Sequence, residues 1–387
     1  MRDYYCNKKF YELKIDFDKK NCYSCCKALP NNIDIKALKK NPGSLFNTDH
    51  LIEERKKMIK NQRVESCESA CWELEDKGLQ SWRLQKNGNI RSHQDLENFP
   101  EQLDLALSGN CNLTCSYCCK EYSSAWRNDI IKNGNYNLNN VDDRYSIKTF
   151  DLALKKISLK QKNSLSQYKI LEEEVERMSK KLKILSISGG EPFLYNNLKN
   201  LLERFRHVPR IEINTGLGLK FEKICKILEY IQDFKNVHLY ISGESTDKFY
   251  EFNRYGNSFD NFNNSVELAS KMKINFSFIT THSNLTVLDY VNFNKKYPHI
   301  SKSFNIVSTP NFMLPYVLDD DTKNSLIREI GNNFNDQESV FLIKFLQNSP
   351  DNQQRANLEI FIKEFSSRRK INLDFFPSSL RSWLNLN

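Results

Sequence analysis

Six stretches of the chain, apolar in alternation or in a short run, read as short strands: Leu103 to Leu107, Leu182 to Leu185, Arg210 to Gly216, Val237 to Glu244, Ile274 to His282 and Ser303 to Ser308. Between some of them the apolar period lengthens to that of a helix, over Asn196 to His207 and along Phe221-Ile224-Cys225-Leu228. Strands alternating with helices predict an α/β chain. Another helix is expected over Lys169 to Met178, and beyond Leu314-Pro315 the chain reads as helical and polar. Trp126 to Asn140 is rich in Asn and Gly and reads as a surface loop.

Ahead of Phe99-Pro100 the pattern differs. Tyr11 to Asp18 alternates like a strand, Asp18-Lys19-Lys20-Asn21 supplies turn chemistry, and Tyr23-Ser24-Cys25-Cys26 reads as the returning strand, giving a small hairpin with cysteines at its end. Leu51 to Ile59 predicts a helix, and Cys67, Cys71, Gly78 and Ser81-Trp82-Arg83 follow. The expected division is residues 1–98 as a Cys-rich module, 99–315 as the main α/β domain and 316–387 as a helical extension.

Composition narrows the classes. With 39% hydrophobic and 27% charged residues among 387, the chain reads as soluble, and no apolar run approaches the roughly 18 residues of a spanning helix. No continuous apolar region opens the chain, so the cytoplasm is the expected compartment and membrane insertion is set aside. Eleven cysteines in such a chain argue for metal binding over disulfides, because cytosolic thiols are kept reduced. The net charge of +9 suits an acidic partner, such as a flavodoxin or ferredoxin donating electrons, and leaves nucleic acid open. Lysines are scattered without an arginine-rich arm, so a solvated surface accounts for the charge as well.

The chemistry concentrates directly after the first main-domain strand, where Cys111, Cys115 and Cys118 stand in a Cys-x3-Cys-x2-Cys spacing with Tyr117 before the third. Three thiolates on one loop suit a [4Fe-4S] cluster with one iron left open, since soft sulfur selects such clusters over hard cations. A structural zinc site would use the same thiols. A second motif, Ser188-Gly189-Gly190-Glu191-Pro192, follows the second strand. Together, and in this order, the two motifs resemble the signature of the radical S-adenosylmethionine (radical SAM) superfamily.

That resemblance implies a partial (β/α)6 TIM-type barrel preceded by a small Cys-rich α+β module. It implies that Cys111, Cys115 and Cys118 hold the [4Fe-4S] cluster and that Ser188, Gly189, Gly190, Glu191 and Pro192 receive the amino group of S-adenosylmethionine. Asn214, Ser242, Glu244 and Arg254 would complete the nucleoside and methionyl contacts, although Asn214-Thr215 transposes the family's usual order and Glu244 stands where Asp is commoner. For Arg254 a surface salt bridge is the competing reading. Thr281, His282 and Ser308 close strands five and six and would line the substrate side.

The N-terminal module resembles the auxiliary-cluster modules of twitch or SPASM-type relatives, here placed before the barrel. By position, Cys6, Cys25, Cys67 and Cys71 would ligate a second [4Fe-4S] cluster, with Cys26 a spare. Two departures stand out: Cys67 and Cys71 are spaced Cys-x3-Cys where Cys-x2-Cys is commoner, and Cys22 or Cys26 competes with Cys25. Four thiolates would satisfy tetrahedral zinc equally well. The implied activity is reductive cleavage of S-adenosylmethionine to a 5′-deoxyadenosyl radical, which takes hydrogen from a substrate, expected to be a peptide or protein side chain. A nucleotide or small metabolite is the alternative substrate, and an iron–sulfur electron carrier or sensor is the non-enzymatic alternative.

Overall fold

The computed structural model describes residues 3–25, 27–76, 78, 81–87, 94–139, 143–146 and 168–386. Among the described residues eleven strands occur: β1 Glu12–Asp16, β2 Asn21–Tyr23, β3 Asn31–Asn32, β4 Gln102–Ala106, β5 Thr114–Cys115, β6 Ile184–Ser188, β7 Arg210–Thr215, β8 Val237–Ser242, β9 Arg254–Tyr255, β10 Phe276–His282 and β11 Lys302–Ile306. The protein is mixed α/β, with largely parallel pairing as the alternating strands and helices predict. Among the described residues no helix is long and apolar enough to cross a membrane. The chain divides into two compact units, one of Met1–Ser108, Ile157–Ile213 and Phe234–Val237, the other of Gly109–Lys156, Asn214–Asp233 and His238–Asn387.

In the first unit β7, β6, β4 and β1 run parallel side by side, and β2 and β3 continue antiparallel from β1. Register follows from burial. Leu13, Leu103, Leu185 and Ile211 form one row across the strands, Ile15, Leu105, Ile187 and Ile213 the next, and all eight are fully buried. A slip by one residue would turn every one of them to the opposite face. The Cys-rich segment therefore does not keep a sheet to itself: β1 extends the parallel strands across the Phe99-Pro100 junction. The returning strand is shorter than the alternation suggests, because β2 ends at Tyr23 and Ser24-Cys25 form a bend. Cys26, read as a spare, lies outside the described residues. Helical residues 168–178 bury Leu171, Val175 and Met178, as the helical spacing predicts.

The second unit carries β8, β10 and β11 in parallel and a separate antiparallel pair, β5 with β9. One expectation fails here. Within the segment read as a surface loop, Ser124–Asn133 is a helix, with the Ser123 side chain accepting from the Trp126 N–H. Trp126 and Ile130, one turn apart, are fully buried, and that pair outweighs the turn-forming composition of the residues after it. Trp126 packs against Tyr136, Tyr145, Phe361 and Phe365, so the C-terminal helix Asn352–Arg369 forms one core with the helix that follows the cysteine loop. Beyond Pro315 the chain is helical as expected, over Asp320–Asn333, Gln337–Leu346, Asn352–Arg369 and Ser378–Trp383.

Candidate active site

The cysteine loop of the second unit is pinned at nearly every turn. The Cys111 N–H donates to Ser124 Oγ at 3.0 Å, and Ser124 Oγ donates to the Cys111 carbonyl at 2.9 Å. The Cys115 carbonyl accepts from Trp126 Nε1 and from the Cys118 N–H, both at 2.9 Å, and the Cys118 carbonyl accepts from Tyr145 Oη at 3.2 Å. Ser116 is fastened to Asn253 by two hydrogen bonds, through its own N–H and its hydroxyl. With the backbone so fixed, the directions of the three side chains are set by the fold.

Cys115 is buried while Cys111 and Cys118 are partly exposed. Burial pushes the Cys115 thiol up to about 12, against the pull of the neighbouring Arg254 guanidinium, and the Cys111 thiolate adds to the rise. The side chain of Cys119, followed by burial, holds Cys118 well above the usual thiol range. All-sulfur ligation must displace these protons, and soft, closely held thiols are the donor set an iron–sulfur cluster takes. Cysteine ligands of a cubane bind different irons.

Beside Cys115 lies a buried charge network. Arg254 Nη2 is 2.9 Å from Glu244 Oε2 and 2.5 Å from Tyr117 Oη, Tyr117 Oη donates to Glu244 Oε1 at 2.8 Å, and Arg254 Nη1 is 3.9 Å from Cys115 Sγ. Arg254 and Glu244 are 4% and 0% exposed, so the surface salt bridge is ruled out. The pairing has a backbone cause: β9 carries Arg254 directly opposite Cys115 on β5. In the sequence Tyr117 stands out only as an aromatic beside a cysteine. Its hydroxyl joins both charged residues that the resemblance assigns to the cofactor.

In the first unit, Ser188 ends β6 and donates to Asp104 Oδ1 at 2.8 Å. Gly189 adopts φ +124°, and a Cβ there would lie 2.6 Å from the Ser108 carbonyl oxygen. That same carbonyl accepts from the Gly190 N–H at 2.7 Å. Gly189 is thus the glycine that both the backbone angle and the close approach require. Glu191 is buried and its carboxylate accepts from the Phe193 N–H at 3.1 Å, closing the turn with Pro192. Asn214 and Ser242 are half-buried, whereas Thr215, beside Asn214, is buried and accepts from the Leu217 N–H. His282 does not line an accessible surface: it is 1% exposed, packed between Tyr290 and Phe304, and burial pushes its imidazole down to about 3.

A second thiol site lies in the Cys-rich segment. Cys6, Cys25, Cys67 and Cys71 are all buried. Burial lifts the Cys67 thiol to about 11, Lys9 opposes it, and the Cys25 and Cys6 thiolates raise it further; Cys71 is raised by burial and by Cys67 and Cys25. Cys22, in β2, is instead lifted to about 11 by burial and the Glu54 carboxylate. Cys25 thus interacts electrostatically with Cys67 and Cys71, whereas Cys22 interacts with Glu54.

The unusual Cys-x3-Cys spacing coincides with a π-helical turn over Glu68–Trp72, which takes up one more residue per turn than an α-helix. Glu75 braces the far end, accepting from Ser81 Oγ at 2.5 Å and from Arg83 through Nε at 3.0 Å and Nη2 at 2.5 Å. Arg83 Nη1 also reaches the Tyr5 carbonyl, next to Cys6, at 2.9 Å. Among the described residues, no group of three or more His, Cys, Asp and Glu side chains is arranged for a single metal ion.

Residues 105–295 match the family model described as the Radical SAM superfamily. The radical SAM cyclopropyl synthase TigE of Paramaledivibacter caminithermalis is 22% identical over 251 residues, covering 62% of this chain and 48% of that protein. The GTP 3′,8-cyclase of Clostridium perfringens is 24% identical over 205 residues, covering 51% and 53%. The chain spans about half the length of the curated relatives it matches. Among solved structures, native anSMEcpe with bound AdoMet aligns over 60% of this chain and 59% of its own, at 15% identity and a TM-score of 0.38.

Proposed function

We propose, from the premise that residues 105–295 are a radical SAM domain, that the protein is an enzyme that cleaves S-adenosylmethionine reductively and removes hydrogen from a peptide or protein side chain. The observation that carries the enzyme reading is the pinned loop of Cys111, Cys115 and Cys118 with the buried Glu244–Arg254–Tyr117 network against Cys115. When bound, the [4Fe-4S] cluster and S-adenosylmethionine supply the radical chemistry; no side chain need act as nucleophile.

The protein's part is to bind, orient and shield. Trp126, Ser124 and Tyr145 fix the loop backbone. Glu244 is suited to accept from ribose hydroxyls, and Arg254 to meet a carboxylate. Each would exchange part of its present pairing for ligand contacts. Ser188 to Pro192 form a turn whose glycine leaves backbone accessible to an ammonium group, with Asn214 and Ser242 at the ends of neighbouring strands in the sequence.

The peptide reading is supported by β11, which among the described residues pairs only with β10, leaving a strand edge able to accept an extended chain. A nucleotide or other small metabolite is the second reading, favoured by the similarity to a protein named for GTP. In both, residues 1–98 hold an auxiliary site, 99–315 the catalytic domain and 316–387 a helical extension. Cys6, Cys25, Cys67 and Cys71 would bind a second [4Fe-4S] cluster, as in twitch or SPASM-type relatives. Chemistry dependent on low-potential electrons and free thiols fits the cytoplasm and an acidic donor such as a flavodoxin or ferredoxin.

The deciding experiment is anaerobic reconstitution followed by dithionite reduction with S-adenosylmethionine. Formation of 5′-deoxyadenosine is expected, with about eight irons per chain. A fully loaded, reducible protein that neither binds S-adenosylmethionine nor forms 5′-deoxyadenosine would instead be an electron carrier or sensor. About four irons with one tightly bound zinc would assign zinc to the N-terminal thiols.

A further inference from the structure

Lys9 is 1% exposed, and its ammonium is held by residues that adjoin the N-terminal cysteines in the sequence. It donates to Ser66 Oγ at 2.7 Å, to Glu54 Oε2 at 2.8 Å and to Ser24 Oγ. Ser24 and Ser66 are the residues immediately before Cys25 and Cys67. The Lys9 backbone N–H donates to the Cys6 carbonyl at 3.2 Å. One residue thus ties together three of the four cysteine segments.

A buried ammonium persists only where anions repay its desolvation. The buried Glu54 carboxylate, 2.8 Å from the Lys9 ammonium, supplies one such anion. An all-thiolate cluster is a buried anion, and reducing it by one electron adds negative charge. A fixed cation nearby stabilises the reduced form, and a fixed carboxylate opposes it.

We propose that Lys9 is a positioning residue for the second cluster that also sets its reduction potential: its ammonium, held by Ser24, Ser66 and Glu54, fixes the segments of Cys6, Cys25 and Cys67 and favours the reduced state, while Glu54 limits that effect. This rests on the reading of Cys6, Cys25, Cys67 and Cys71 as iron–sulfur ligands.

The test uses the full-length chain carrying Cys111→Ala, Cys115→Ala and Cys118→Ala, so that only the second cluster is titrated, by electron paramagnetic resonance against applied potential. Lys9→Met should lower the midpoint, changing the oxidised-to-reduced ratio at fixed potential about tenfold, or about 59 mV for one electron. Glu54→Gln, which keeps Lys9 and its serine contacts, should move it in the opposite direction, and the double variant should return toward the parent. Should Lys9→Met fail to load iron, Glu54→Gln carries the sign test alone. A merely structural role would lower iron content in both variants without opposing shifts, and that result overturns the inference while leaving the cluster reading intact. A parent background that binds no iron overturns both.

Discussion

The Arg254 guanidinium and the Glu244 carboxylate form a buried ion pair at 2.9 Å, set against the sulfur of Cys115. Removing one partner leaves the other charged, buried and uncompensated. Glu244→Ala is therefore expected to destabilise the apoprotein by about 3–5 kcal/mol. Combining Glu244→Gln with Arg254→Met should cost less than the two single changes added together. Denaturant unfolding of the four proteins completes the double-mutant cycle, and strict additivity would show that the pair is not energetically coupled.

Trp126 joins the hydrophobic core to the cysteine loop through its ring and its Nε1–H. Trp126→Ala should cost about 3–5 kcal/mol and reduce iron bound after reconstitution. Trp126→Phe keeps most of the apolar contact and loses the hydrogen bond to the Cys115 carbonyl, for about 1 kcal/mol. Iron content that is unchanged in both variants would separate the core from loop placement.

Substitutions in the Gly-Gly-Glu-Pro turn should divide into two kinds. At Gly189, φ is +124° and a Cβ would press on the Ser108 carbonyl, so Gly189→Ala should destabilise the fold itself. If the turn holds S-adenosylmethionine as proposed, Gly190→Val should instead suppress 5′-deoxyadenosine formation while leaving iron content unchanged, because a branched side chain would intrude on the methionyl group. Thermal unfolding and iron analysis of both variants distinguish the two effects.

His282 supplies a pH dependence with a definite sign. Its folded pKa, about 3, is depressed below the unfolded value of about 6.5. The unfolded chain therefore takes up the proton first as pH falls. The stability contribution is full above pH about 6.5 and is lost progressively toward pH about 3, by up to about 1.4 kcal/mol per unit. Unfolding free energies at several pH values should fall less steeply in His282→Phe than in the parent chain. Parallel curves would mean that His282 is already solvated in the native state.

Much of the fold was legible because buried strands write their faces locally. Leu103 and Leu105 alternate with polar residues, and the same rhythm of burial marks β7 and β8. The helix Ser124–Asn133 was hidden by the Asn and Gly that follow it, although Trp126 and Ile130 already stood one turn apart. Both cysteine motifs were visible as spacings, whereas the side chains that organise them were not. Lys9 is an ordinary lysine by composition, and only folding places it against Ser24 and Ser66. Tyr117 likewise gains its meaning from Arg254, which reaches it through the pairing of β5 with β9.

The pairing of β1 with β4 also governs the order in which the protein can assemble. Glu12 lies opposite Gln102, a separation of 90 residues (102 − 12). Parallel contacts over such a span form slowly, since the loop-closure entropy must be met before the strands gain each other's hydrogen bonds. During synthesis β1 has left the ribosome long before its partner exists, with fully buried Leu13 and Ile15 still uncovered. Cys6 and Cys25 flank this waiting strand. On the proposed reading of these thiols as cluster ligands, iron delivered before residue 106 has emerged would meet them on an undocked segment, and loading of the N-terminal site would wait for β4.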